Sequence, residues 1–306
     1  MHGTHISHIG SFLEIGSHRI HYFAIGSGFP IVFLHGNSGF LQDFSLGVFR
    51  VLPEKWRAIA FDRPGYGYSD LFNPRAPSID SQVELFSHAF DLLEISRPIL
   101  VGHSWSGALV LAYALKYPDQ VSAIVHLCGA AYPEVSLLNP ILHFQKTALW
   151  GFLSFLGLHI PVLGWRSIHQ SLINAFYPAS VPQEYLSCVA TYWLRYRQIS
   201  TAVRELATLQ FTLTRIQKLY HTISIPVTIV VGEYDRLVPP ENHGMRLKNV
   251  IPQADFHIVR GAGHELHLSN PKALISVLEG LYSQLHNGNE PFRRDRDPIS
   301  KQTKNK

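Results

Sequence analysis

The sequence predicts an α/β fold in which a mostly parallel sheet carries helices on both faces and is interrupted by an inserted helical cap. Three observations point there. Short β-branched runs alternate with longer helical stretches, the pattern of successive strand–helix units. The runs are apolar without strict alternation, as expected of strands covered on both faces. Residues 132–222 hold no run that reads as a buried strand, only Trp-, Leu- and Phe-rich helical pieces punctuated by Pro140, Pro161, Pro178 and Pro182.

In chain order, residues 11–15 and 19–25 read as an antiparallel edge pair. Residues 31–34, 58–61, 99–101, 123–127, 227–231 and 256–259 read as buried strands. Helical stretches lie between them at 78–96, with Ser78 as N-cap, and at 106–116, 241–250 and 271–285. The sheet domain is thus expected in two pieces, residues 1–131 and 223–287, with the cap at 132–222 and a disordered basic tail at 288–306.

Composition sets outer bounds. With 46% hydrophobic and 16% charged residues in 306 positions, the chain can bury a large core and is neither disordered nor fibrous. The net charge of +4 is concentrated in the tail, where Arg293, Arg294, Arg296, Lys301, Lys304 and Lys306 outnumber Glu290, Asp295 and Asp297. The remainder is nearly neutral and has no basic helix or basic-aromatic stripe, which argues against a nucleic-acid partner. Two cysteines, Cys128 and Cys188, form neither a metal spacing nor a disulfide framework. The first residues lack the basic flank and apolar run of a secretory signal, so a cytoplasmic location is expected. The uncharged runs 20–42 and 147–165 approach a bilayer span, but glycines and prolines break both, and membrane association is disfavoured.

The chemistry centres on Val101-Gly102-His103-Ser104-Trp105-Ser106-Gly107, between a strand and an Ala/Leu-rich helix. A serine on such a sharp turn projects its hydroxyl above the sheet, provided small residues flank it two positions to each side. Gly102 meets that need, and Ser106 stands where glycine is usual. Read alone, Ser104 also suits a helix N-cap. A serine hydroxyl needs a base, and the base an orienting acid. Asp235, in Gly232-Glu233-Tyr234-Asp235, and His264, in Gly261-Ala262-Gly263-His264, each follow a predicted strand. All three groups therefore fall at the carboxyl ends of parallel strands, where open α/β sheets bind ligands.

Together with Phe33-Leu34-His35-Gly36-Asn37, Phe61-Asp62-Arg63-Pro64-Gly65-Tyr66-Gly67-Tyr68-Ser69 and the run from Gly263 to Pro271, these motifs resemble the α/β-hydrolase superfamily from about Ser11 to Leu285. The resemblance implies an α/β-hydrolase fold, with Ser104 as nucleophile, His264 as base then acid, and Asp235 orienting His264. It implies an oxyanion hole from the backbone N–H groups of Trp105 and Asn37, although Asn37 between glycines also suits a turn. Serine in place of the Asp found in relatives similar to epoxide hydrolases and haloalkane dehalogenases favours acyl chemistry, and Ser269 replaces a Glu common after the catalytic His. Asp62 and Arg63 are expected to brace loops under the site. His35 and His103 adjoin the site as packing or hydrogen-bonding groups, and with Cys128 they are the candidates to line the substrate pocket. Tyr192, Trp193, Arg195, Tyr196 and Arg197 are candidates to meet a polar end of the substrate.

The expected activity is a cofactor-independent serine hydrolase cleaving a carboxylic ester of a small or medium apolar acid through an acyl-enzyme. The same triad also serves acyl transfer, C–C hydrolysis of diketones, peptide-end cleavage and perhydrolysis, or survives as a slow triad in a ligand receptor. A metal enzyme is disfavoured because His264-Glu265-Leu266-His267 lacks the i, i+4 His pair of the zinc motif. Composition leaves oligomeric state open.

Overall fold

The structure, a computed structural model, describes residues 9–72, 78–133, 161–193 and 195–287, with backbone alone for 161–167 and 287. The expected basic tail, and residues 134–160 of the expected cap with most of the uncharged 147–165 run, lie outside the described residues.

The strands form where β-branched and aromatic runs allow both faces to be covered. They are β1 (Ser11–Ile15), β2 (His18–Ile25), β3 (Phe29–Leu34), β4 (Trp56–Phe61), β5 (Ile99–His103), β6 (Ala123–Leu127), β7 (Val227–Gly232) and β8 (Asp255–Val259). They build one eight-stranded sheet in the order β1-β2-β4-β3-β5-β6-β7-β8. β1 and β2 pair antiparallel, β2 joins β4 antiparallel, and every later pairing is parallel. The 20–42 run becomes β2, β3 and the turns around them, and no helix among the described residues is long and apolar enough to cross a membrane.

Successive side chains of a strand point to opposite faces. In β3, Val32 and Leu34 join one core cluster while Ile31 and Phe33 join another. On the first face lie α2 (Ile79–Leu92) and α3 (Trp105–Lys116), through Val83, Phe86, Phe90, Leu109 and Tyr113. On the second lie α1 (Gln42–Ser45) and, late in the chain, α9 (Pro271–Asn287), through Phe44, Leu274, Leu278 and Leu281. Each such fully buried apolar side chain contributes roughly 1.5–3 kcal/mol.

Ser78 caps α2 as expected, accepting from Ser81 N at 3.1 Å. The helix stops at Leu92 rather than reaching 96. Glu94 turns to φ 51°, its N–H donates to Asp91 O and Ile95 N donates to Phe90 O. That is a C-terminal reversal in which a glutamate fills the left-handed position that glycine usually takes.

Between β6 and β7 the described residues form three α-helices, α4 (Pro161–Phe176), α5 (Gln183–Tyr192) and α6 (Tyr196–Ile216), the last running into a 3-10 turn at Gln217–Thr222. α4 and α5 share a small apolar cluster with Phe40 of the core, through Leu172, Phe176, Tyr185 and Val189. α7 (Gly244–Val250) and α8 (Leu266–Ser269) complete the order.

β3 is flanked by β4 on one side and β5 on the other, so the chain crosses over β3 between them. Loops leaving the carboxyl ends of β3 and β5 diverge there, which opens the crevice in which such sheets hold ligands.

Candidate active site

β5 ends at His103 and α3 begins at Trp105, leaving Ser104 to reverse the chain at φ 56°, ψ −117°. A non-glycine residue held there stores of order 1–3 kcal/mol of strain. The surroundings impose it: Ser104 N donates to Leu127 O at 3.0 Å, and Ser104 O accepts from Gly107 N and Ala130 N, each at 2.9 Å. Gly102 is required because a Cβ there would lie 2.2 Å from Ser106 O. Gly36, on the facing loop, is required because its Cβ would come within 2.8 Å of Ser104 Cβ. Ser106 is tolerated in place of glycine for a specific reason, since its buried hydroxyl donates to His35 O at 2.6 Å and ties the turn to that loop. The Ser104 side chain remains partly exposed.

His264 and Asp235 arrive on the loops after β8 and β7. His264 Nδ1 lies 2.8 Å from Asp235 Oδ2, and Asp235 Oδ1 accepts from the N–H groups of Leu237 and Val238, each at 2.9 Å. A carboxylate only accepts here, so Nδ1 carries the proton and Nε2 is left as the basic nitrogen. Burial works against the imidazolium, but the charge and hydrogen bond of Asp235, helped by Glu265, outweigh it and raise the His264 pKa above its ordinary value. The Glu265 N–H donates to Ala175 O at 3.1 Å, which fastens the loop to the end of α4.

The other imidazoles nearby are neutral. His103 is pushed well below its ordinary pKa, by burial first and then by His267 and His264. Its Nε2 donates to His264 O at 3.1 Å, and its ring packs between those of His264 at 4.7 Å and His267 at 4.3 Å. His35 accepts from Arg63 N on Nε2 at 2.9 Å and donates from Nδ1 to Gly36 O at 2.8 Å. Fully buried and with both nitrogens occupied, His35 has nothing to offer a substrate, so its expected place in the pocket lining gives way to a place inside the loop. Cys128, 1% exposed, stands beside the acid–base pair, its sulfur within 4.8 Å of ligand atoms of Asp235 and His264. Burial first, and the Asp235 charge next, hold it as a thiol.

Asn37 and Trp105 lie on the two loops that flank the crevice. The Asn37 side chain donates to Ala202 O at 3.0 Å, Tyr66 Oη at 3.2 Å and Glu205 Oε2 at 3.3 Å. Its backbone N–H and that of Trp105 meet no protein acceptor among the described residues. Asp62 and Arg63 do brace these loops. Asp62 accepts from Leu41 N at 2.8 Å and Tyr68 N at 3.0 Å, while Arg63 donates to His35 O and Gly36 O. Glu205 on α6, which motif reading passed over, is fully buried against Arg63. Arg195 and Arg197 both donate to Gly67 O, at 3.3 and 3.2 Å. Tyr192 is buried against Phe40 and Tyr68, Trp193 is half-buried, and Tyr196 is exposed. Ser269 settles into its own turn, donating to Glu265 O and to Asn270 Oδ1.

Among the described residues, two triplets bring ligand-type atoms within 4.8 Å of one another, His103 with the half-buried Glu265 and His267, and the buried Cys128 with Asp235 and His264. The second is the acid–base pair itself, with its hydrogen bond already formed.

Residues 30–271 match the model of the alpha/beta hydrolase fold family. The 2-hydroxy-6-oxo-2,4-heptadienoate hydrolase of Pseudomonas putida is 25% identical over 88% of this chain and 95% of its own length. The 2-hydroxy-6-oxononadienedioate/2-hydroxy-6-oxononatrienedioate hydrolase of Paraburkholderia phymatum is 29% identical, over 80% of this chain and 84% of its own. A thermophilic esterase from Thermogutta terrifontis superposes with a TM-score of 0.70 at 18% identity, over 88% of this chain and 94% of that one, a likeness of fold. With the family model spanning the six strands from β3 to β8 and every loop of the site, the chain belongs to the alpha/beta hydrolase fold family and is one of its enzymes.

Proposed function

We propose that the protein is a serine hydrolase that opens a bond to an acyl carbonyl through an acyl-enzyme on Ser104. What carries the reading is the partly exposed Ser104 on its strained turn, with the buried His264–Asp235 pair on the neighbouring loops. Ser104 Oγ attacks the carbonyl carbon as His264 Nε2 takes its proton, and Asp235 stabilises the imidazolium. The oxyanion is received by the N–H groups of Asn37 and Trp105, worth about 2.7–4 kcal/mol per donor. Collapse expels the leaving group with the proton from His264. Water, deprotonated by the same nitrogen, then releases the acid and restores Ser104. The helices between β6 and β7 act as a cap, and the substrate is a small to medium apolar ester.

A second reading places C–C cleavage beside a ketone in the same site, and the names of two full-length relatives favour it. The two share every step up to the departing group, a carbanion in place of an alkoxide. A chain-length series of p-nitrophenyl esters beside a vinylogous 1,5-diketone acid, each with a Ser104→Ala control and fluorophosphonate labelling, tests both. Turnover and labelling that depend on Ser104 are expected, and the preferred substrate chooses between the readings. Undiminished turnover by folded Ser104→Ala sinks both.

A further inference from the structure

Among the described residues, one buried ion pair touches both proposed oxyanion donors. Arg63, on the loop after β4, and Glu205, on α6, are each 0% exposed. Arg63 Nη2 donates to Glu205 Oε2 at 3.0 Å, and Nη1 donates to Oε1. The remaining guanidinium protons go to Gln82 Oε1 at 3.1 Å, His35 O at 2.8 Å and Gly36 O at 2.9 Å. All five donors of the guanidinium are thereby used. Glu205 also accepts from Gln82 Nε2 at 2.8 Å, Tyr66 Oη at 2.7 Å and Asn37 Nδ2 at 3.3 Å.

Two of these contacts bear on the chemistry. Gly36 O belongs to the same amide as the Asn37 N–H. A cation donating to that carbonyl draws electron density from the amide nitrogen and makes its N–H a stronger donor, an effect of about 10–30% per bond in hydrogen-bonded chains. On the other loop, the Trp105 ring lies 4.3 Å from Arg63 Cζ, and its Nε1 donates to Glu205 O at 3.4 Å. A buried ion pair is weak evidence for stability, since apolar replacement of both partners is often neutral or stabilising. Its location here matters more than its bare presence.

We infer that the Arg63–Glu205 pair positions the oxyanion hole and polarises the Gly36–Asn37 amide, so that α6 and the hole are set together. Both are positioning residues, and the inference rests on the serine-hydrolase reading above. The test compares wild type, Arg63→Met/Glu205→Leu and Arg63→Lys. Each is assayed for kcat and KM on the best p-nitrophenyl ester, for Ki with a trifluoromethyl ketone whose adduct carries the oxyanion, and for end-point fluorophosphonate labelling. Thermal melts check folding. Deleting a whole donor costs about 100- to 1,000-fold in kcat, so weakening one is expected to cost about 10- to 100-fold in kcat and in Ki together. KM should stay within about threefold, and labelling should still reach completion, because Ser104 and His264 are untouched. Arg63→Lys keeps a cation but not the planar fork, and should lose activity in the same direction; it serves as well if the apolar double variant does not fold. A folded variant with wild-type kcat and Ki overturns the inference. Wild type that resists both the ketone and the fluorophosphonate would instead overturn the serine-hydrolase reading beneath it.

Discussion

Asp235→Asn gives the sharpest test of the acid–base pair. The native carboxylate accepts three hydrogen bonds, two from the backbone N–H groups of Leu237 and Val238 and one from His264 Nδ1. An amide has a single acceptor oxygen, and two fixed backbone donors compete for it against one mobile imidazole. The oxygen therefore goes to the backbone, and the NH2 group turns to His264. Nδ1 must then accept, the proton moves to Nε2, and the nitrogen proposed to take the Ser104 proton is no longer a base. In other triads this exchange costs about ten-thousandfold in kcat, equal to about 5 kcal/mol at about 1.36 kcal/mol per tenfold. The fold should survive, because shape and backbone bonds are retained. The pH profile should move as well. In wild type the raised pKa of His264 puts the acid limb of kcat/KM above the ordinary histidine value of about 6.5. Without the aspartate, burial dominates and the limb of the residual activity shifts down. The assay is ester turnover from pH 5 to 9 with a melt as the folding control. A folded Asp235→Asn enzyme within about tenfold of wild type refutes the role of the acid.

Two further expectations concern stability. Glu94 sits exposed at φ 51° in the reversal after α2, so Glu94→Gly should raise the melting temperature, by up to about 1 kcal/mol of stability; a lower melting temperature would mean that the turn is not strained. Glu265 is held protonated to about pH 7 by burial, His264 opposing and Asp235 adding. Its unfolded pKa is about 4.3, so between those values the native chain keeps a proton that the unfolded chain has released. Stability should then fall as pH rises through that window, by at most about 1.4 kcal/mol per unit. Glu265→Gln should flatten that slope, and denaturant melts that run parallel for the two proteins would discard the effect.

The strands were legible because an apolar run covered on both faces needs no partner information to be recognised. Ser104 was legible because a reversal in one residue demands small neighbours, and Gly102 and Gly36 both answer to clashes measurable at the turn. Glu205 was passed over because a lone glutamate in an amphipathic helix looks like a solvent-facing one. Its position held the missing signal. Ala202, Glu205, Leu209, Leu213 and Ile216 follow one another at helical spacing on the buried stripe of α6, and a charge on such a stripe implies a buried partner. Arg195 and Arg197 show the converse. Their charge suggested a ligand, but a backbone carbonyl at Gly67 was within reach.

Among four buried imidazoles of the site loops, electrostatics sets His264 apart independently of chain order. Burial is the largest influence on all four, and it disfavours the cation in His35, His103, His267 and His264 alike. His35 faces Arg63, and His103 faces other imidazoles, and the one backbone hydrogen bond each ring makes does not offset the loss. His267 does have a carboxyl beside it, Glu265 at 3.3 Å, yet its pKa falls to about 3. There burial comes first and the charge of His264 lowers the pKa further, while Glu265 is itself driven up to about 7. Asp235 differs in its geometry, since one carboxyl oxygen accepts from two backbone N–H groups while the other meets His264 Nδ1, and its charge and hydrogen bond raise the pKa of that buried ring. His264 is therefore the one ring of the four whose pKa is raised, which is why it is the base proposed for Ser104.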